Sequence, residues 1–278
     1  MRHMRPAAVA GAALTLFGAV GLAAQGSATR KPDVVYDLAN SMGMLRGLQE
    51  EDSILALEHW STGTMTVGAQ KFEITKLRTS VNYSVPGMRV DMTRMAAGGA
   101  EQRTIQVVAG NFAWNEKEPG VGPTPAQNTL KERLVMLWTS PFGAVKAARM
   151  AGAALKVAEQ PGGNKVLTFP LPAPVNDTIA TVTVHVDADK RLFPNPHPNQ
   201  GKGLVGTYIE RVSTAGGVVS ESSYGEYGDW NWDDYKSDAF TPKRATRKFG
   251  DTTLELTTTN TNTYNPYVVM PVPEITKK

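Results

Sequence analysis

Ile179-Ala-Thr-Val-Thr-Val-His-Val-Asp187 is the stretch that decides the fold class. Ala180, Val182, Val184 and Val186 fall on one parity, and Thr181, Thr183, His185 and Asp187 on the other. Side chains along a strand point alternately to opposite faces, so this period of two describes a strand with one apolar and one polar face. Downstream, Leu204 to Val212 reads as a strand that pairs with Val218 to Tyr227 across Gly216-Gly217. Thr252 to Tyr264 is a further, Thr-rich strand, and Asn195 to Gly203 is a Pro-rich loop. Upstream, Lys165 to Phe169 is a short strand.

Between about residues 128 and 151 the period changes from two to helical. Asn128 or Thr129 is placed to cap a helix carrying Leu130, Leu134, Met136, Leu137 and Trp138, and Pro141 opens a second that runs to Ala151. Before this section the pattern is strand again. Arg103 to Trp114 sets Ile105, Val107 and Ala109 on one face and turns at Gly110-Asn111. Phe72, Ile74, Leu77 and Val81 form a long strand that turns at Pro86-Gly87 into Met88, Val90, Met92 and Met95. Trp60 to Val67 is strand-like. Two short helices are expected ahead of it. One follows Pro32 with Val34, Val35, Leu38 and Met42 on its face; the other spans Glu50 to Leu57, capped by Asp52 or Ser53.

The N-terminus reads as a secretory leader. Arg2 and Arg5 precede the uncharged, apolar run Ala7 to Ala24, which closes on small residues. Cleavage is expected after Ala23 or Ala24, so that residues 1–24 are a signal peptide and 25–278 a single β-rich domain; the rival reading is an uncleaved anchor. No Cys follows the run to carry a lipid, and no later segment is apolar and long enough for a helical span after cleavage. Periplasmic residence is the expectation. The chain has no Cys anywhere, which removes thiol chemistry, Cys-ligated metals and disulfide bridges. Net charge is only +3, and Arg2 and Arg5 leave with the leader, so no nucleic-acid-binding surface is expected. The basic cluster Lys243, Arg244, Arg247, Lys248 reads as a solvated strand face.

Catalytic signatures are sparse. His59, His185 and His197 have no metal-motif spacing, although His185 and Asp187 share a strand face. There is no nucleophile elbow, phosphate loop or dinucleotide fingerprint. Glu221, Glu226, Asp229, Asp233, Asp234 and Asp238 crowd one region; solvated turns are the expected reading, ahead of calcium binding and of acid–base chemistry. No catalytic residue, metal ligand or cofactor is therefore expected. Aromatics give the better signal. Tyr224, Tyr227 and Trp230 alternate with Gly and acids, while Trp60, Trp114 and Trp138 lie elsewhere. Three readings fit them: a cavity for an apolar ligand, ordinary core packing, or glycan and peptide stacking.

Five phrases carry a family resemblance. They are Arg103-Thr-Ile-Gln-Val-Val-Ala-Gly-Asn-Phe-Ala-Trp114, Leu137-Trp-Thr-Ser-Pro-Phe-Gly-Ala-Val-Lys146, Tyr224-Gly-Glu-Tyr-Gly-Asp-Trp230, Phe240-Thr-Pro242 and Val269-Met-Pro-Val-Pro-Glu274. With the order of elements, they resemble the LolA/LolB-like periplasmic lipoprotein-carrier superfamily. They are closest to the uncharacterised bacterial domain that often precedes a metallo-β-lactamase-type hydrolase domain. The resemblance implies an α+β fold, a curved antiparallel sheet forming a half-open barrel around a few helices. It also implies an exported, non-catalytic binding protein for a lipid, an acyl chain or a lipidated client. Trp60, Trp114, Leu134, Leu137, Trp138, Phe142, Tyr224, Tyr227 and Trp230 are then its candidate ligand-binding residues. A structural or interaction subunit of a cell-envelope complex and a cryptic envelope hydrolase are the alternatives. The His-x-His-x-Asp-His run that holds two metals in the hydrolase domain does not occur here, so no hydrolytic role carries over.

Overall fold

A computed structural model of the chain describes residues 33–45, 52–186, 192–193, 203–204, 206–230, 239–262 and 268–277. The leader, Pro32, Asp187, His197 and the acids Asp233, Asp234 and Asp238 lie outside the described residues.

Three helices are present among them. In α1 (Val34–Ser41), the Asp33 carboxylate caps the first turn by accepting from the Val35 and Tyr36 N–H groups, and Val35, Leu38 and Ala39 are buried. α2 is Leu130–Trp138 and α3 is Pro141–Ala151. Ser140 caps α3 through its hydroxyl, which accepts from Gly143 N–H. Thr129 does not cap α2; its hydroxyl donates to Ala126 O at 2.7 Å instead. The corner between α2 and α3 is so tight that a Cβ on Gly143 would stand 2.1 Å from Leu137 O, which only glycine avoids.

The helix expected over Glu50 to Leu57 does not form in its described part. Asp52 Oδ1 accepts from Ile54 N–H, and strand begins at Ala56. An aspartate that can cap a helix can equally close a two-residue turn. Here the following residues find sheet partners, Leu57 opposite Val81 and Glu58 opposite Ser80.

The strands are β1 (Ala56–Val67), β2 (Gln70–Asn82), β3 (Gly87–Ala96), β4 (Glu101–Ala109), β5 (Phe112–Glu116), β6 (Thr124–Pro125), β7 (Lys156–Glu159), β8 (Lys165–Pro170), β9 (Thr178–Val186), β10 (Leu192–Phe193), β11 (Gly203–Leu204), β12 (Thr207–Gly216), β13 (Ser220–Gly228), β14 (Thr241–Phe249) and β15 (Thr252–Asn262). Thirteen of them make one open antiparallel sheet in the order β6-β5-β4-β3-β2-β1-β15-β14-β13-β12-β9-β8-β7; β10 and β11 pair apart. The chain thus walks from the centre to one edge, crosses by α2 and α3 to the other edge, and walks back. Its first and last long strands meet in the middle, His59 opposite Thr261 and Thr62 opposite Thr257.

Each face of this sheet has its own apolar cluster. The larger one joins Val81, Met88, Val108, Val182, Val184, Ile209 and Tyr224 to Leu38 of α1, Leu134, Leu137 and Trp138 of α2, and Phe142 and Val145 of α3. The smaller one holds Ala56, Ile105, Val107, Ala109 and Trp114 under Val268 and Met270 of the C-terminal segment. Val107 and Val108 are neighbours in sequence and belong to different clusters, as the pleat requires.

Candidate functional site

The helix-covered face of β1 carries Leu57, His59 and Ser61. The ladder extends each of them into a row. Leu57 stands beside Val81, which stands beside Met88, an apolar row. His59 lies between Thr261 and Thr79, a polar row, and Ser61 lies between Thr258 and Leu77, a row polar on its β15 side only. Phe142, Pro141, Ser140 and Met136 roof them from the helices. Tyr224, Thr241, Pro242, Ala245 and Arg247 add a wall from β13 and β14. Between these groups lies a largely enclosed hollow of about 60 Å³. That is room for a few water molecules or a small group, well below the several hundred Å³ of a drug-sized pocket.

The roof is pinned to the sheet at the C-terminal end of α2. The last carbonyls of a helix have no partner within it. Here Thr139 donates to Val135 O, Ser140 Oγ donates to Leu137 O, and Arg247 Nη2 donates to Met136 O at 2.8 Å. The Tyr224 hydroxyl donates to Thr139 O at 2.7 Å. Tyr83 OH and Ser140 Oγ lie 3.2 Å apart. A guanidinium at a helix C-terminus also meets the negative end of the helix dipole.

The electrostatics of the hollow are cationic. Arg247 Nη2 reaches Thr139 Oγ1 at 3.3 Å as well, yet Arg247 Nε is buried without a partner among the described residues. The hydroxyls of Thr241 and Thr261, on residues 5% and 0% exposed, are likewise buried and have no partner among the described residues. Burial, reinforced by the positive charge of Arg247, pushes the pKa of His59 down to about 4 and keeps its ring neutral at pH 7.

The nine aromatic and apolar residues anticipated from sequence do not gather in one place. Phe142 and Tyr224 line the hollow. Leu134, Leu137 and Tyr227 are packed in the larger cluster, and the Tyr227 hydroxyl donates to Ile209 O. Trp138 is only 3% exposed, finds no acceptor for its indole N–H among the described residues, and borders a separate surface cleft with Leu55, Lys146 and Met150. Trp60 alternates with His59 and so points to the opposite face, where Arg78 stacks 5.5 Å from its ring centre. Trp114 is fully buried in the smaller cluster, also on the opposite face, and donates to Glu116. Trp230 donates to Thr241 O and carries Lys243 over its ring at 4.3 Å. Trp60 and Trp114 thus lie on the sheet face away from the hollow, because one residue of parity sends a side chain to the other face.

Sequence reasoning passed over His59, Thr241, Thr261 and Arg247. The basic cluster read as one solvated face splits by parity: Arg244 and Lys248 are exposed, while Arg247 shares a face with Ala245 at the hollow. Of the remaining candidates, His185 stacks on Tyr208 at 4.8 Å. Among the described residues no three His, Asp or Glu side chains gather as a metal site, and no helix is long and apolar enough to cross a membrane. No model of a known protein family matches the chain, and no curated protein matches it.

Proposed function

We propose that this chain is an exported, periplasmic binding protein that holds an apolar ligand, an acyl chain or the lipid of a lipidated client, beneath α2 and α3 without covalent chemistry. In this reading the open sheet curves around the helices as in the lipoprotein-carrier superfamily. The observation that carries it is the row Leu57, Val81 and Met88 standing across a hollow from Met136 and Phe142. In a plain two-layer domain a helical face and a sheet face fill each other. Here a gap is kept between them, and each CH₂ that enters it from water contributes about 0.8 kcal/mol. The hollow takes the end of a chain as it stands; a longer chain requires α2 and α3 to lift from the sheet. The polar contacts that hold them at this corner are Tyr224 to Thr139, Arg247 to Met136 and Tyr83 to Ser140, and the apolar packing of Leu134, Leu137 and Phe142 would have to part as well.

The test is a titration of the purified protein with a displaceable fluorescent fatty acid, together with native mass spectrometry and organic extraction of protein from its own compartment. Saturable binding and a reproducible bound lipid are expected. Binding should fall when Phe142→Trp fills the hollow in a protein that remains folded. A wild type that binds no apolar probe overturns the reading. One observation favours a second function, a docking module for another envelope protein: Leu55 and Met150, 57% and 62% exposed, flank the cleft beside Trp138.

A further inference from the structure

We infer that the surface cleft beside Trp138 is the mouth of the hollow, with Tyr83 as the partition, and that it seats the anionic head of an amphiphile whose alkyl end lies inside. The inference rests on the binding reading above and adds the entrance and the chemistry of the ligand's other end. The cleft holds about 320 Å³, within the range of small-ligand sites, where the hollow alone holds about 60 Å³. Three elements run from one space into the other. Leu57 lines the hollow, and Leu55, two residues earlier, lines the cleft. Val81 lines the hollow, and Tyr83, two residues later, lines both. Side chains two apart on extended chain share a face, and Tyr83 N–H donates to Leu55 O at 2.8 Å, so the β1–β2 ladder continues up to the cleft. On α3, Phe142 lines the hollow, while Lys146, one turn on, and Arg149 and Met150, two turns on, line the cleft from the same helix face. The Tyr83 ring stands between the two spaces, held by Ser140 Oγ 3.2 Å from its hydroxyl and by Lys146 Nζ 4.9 Å from its centre. Rotation of this one side chain joins them.

The charge of the mouth selects the head. Lys146 Nζ donates to Asp52 Oδ2, and Arg149 Nη1 stands 3.9 Å from the same oxygen, so both cations meet at one carboxylate. Two positive charges against one negative leave one positive charge over. The Lys146 side chain is 11% exposed and that of Arg149 46%, an inner and an outer cation. A single carboxylate arriving from solvent balances the excess and accepts from the outer guanidinium. Leu55 and Met150, both exposed, give the alkyl chain apolar contact on its way in, and beyond Tyr83 it meets Val81 and Phe142.

The chain has no Cys, so one introduced thiol can be labelled alone. Leu55→Cys places it in the cleft. Val219→Cys, at an exposed residue, places it at the far end of the sheet, since neighbouring Ser220 leads across Phe249 and Thr252 to Val67. Both variants are titrated with the fluorescent fatty acid before and after coupling to a bulky maleimide. Labelling at 55 is expected to weaken binding at least tenfold, and labelling at 219 to leave it as in the wild type. Unchanged binding with the label at 55 overturns the mouth and leaves the binding reading standing. A wild type that binds no apolar probe overturns both. For the head, decanoate and 1-decanol are compared by calorimetry in the wild type and in Arg149→Gln, which keeps the Lys146–Asp52 pair, with folding followed by circular dichroism. Decanoate is expected to bind the wild type about threefold to fivefold more tightly, the size of a partly exposed ion pair, and Arg149→Gln to remove the preference by weakening decanoate alone. Equal binding of the two in the wild type, or an undiminished preference in the folded variant, overturns the seat for an anionic head.

Discussion

Arg133 on α2 and Arg247 on β14 both reach into the interior of the protein, and the fold treats them differently. Arg133 is 4% exposed and meets three acceptors: Val107 O at 2.8 Å, Trp114 O at 2.5 Å and Asn115 Oδ1 at 2.6 Å. Burial lowers its pKa to about 10, so it still holds its charge at pH 7. It fastens α2 to β4 and β5. Arg247 also fastens α2, at the other end, but leaves Nε open toward a hollow. Every hydrogen-bonding direction of the first arginine that reaches the interior finds an acceptor, while Nε of the second finds none among the described residues.

The comparison can be broken most forcefully at the packed side. Trp114→Ala empties a fully buried position of the smaller cluster and should cost about 3–5 kcal/mol, read from the denaturant midpoint, with ligand affinity per folded molecule unchanged. A loss of affinity in folded protein would put Trp114 back into the site. Arg133→Met should cost about 3 kcal/mol, because Val107 O, Trp114 O and Asn115 lose their donor in a buried place. A midpoint close to wild type would show that the two arginines do not differ.

His59 sharpens the comparison through pH. Its folded pKa of about 4 lies below the ordinary imidazole value of 6.5, so between these values the unfolded chain binds more protons than the native one. Stability is therefore full above pH 6.5 and falls as pH drops toward 4, by at most about 3 kcal/mol. Denaturant unfolding at pH 7, 5.5 and 4.5 should show this slope, and His59→Gln should flatten it. An unchanged slope in the variant would assign the acid limb to other groups. The smallest effect is expected at Arg247→Gln, about 1–2 kcal/mol for the lost helix-end bond, measured by thermal or denaturant unfolding without ligand. A cost equal to that of Arg133→Met would make Arg247 a structural residue.

Much of the sheet was legible because alternation is a local property. Ala180, Val182 and Val184 are buried as their parity indicates, and Ile105, Val107 and Ala109 share the face expected of them. The start of α3 at Pro141 was readable from the proline, while the Ser140 cap before it came to light only in the structure. The turn at Asp52 was not, because capping a helix and closing a turn ask the same of a carboxylate. The site was harder still. Parity divides Arg247 from Arg244 and Lys248 within one basic cluster, but which parity faces the helices depends on partners far away in sequence. Aromatic residues drew attention for their size, and size says nothing about face: Trp114 is as buried as a residue can be and lies on the wrong side of the sheet for the hollow. The hydroxyls of Thr241 and Thr261, buried and without a partner among the described residues, have no sequence signature at all.

The pairing of β1 with β15 has a consequence in time. His59 and Thr261 are opposite each other at the centre of the sheet, although almost the whole described chain separates them. Contacts of such long sequence separation form late, since the closure entropy of the intervening chain must be overcome first. Each half of the sheet can zip up from its own hairpins while the chain is still growing. The floor of the hollow cannot, because it exists only once the last long strand has docked against the first. A nascent or truncated chain lacking β15 would thus hold much of the secondary structure and none of the site, and appearance of binding would serve as a clock for the final step of folding.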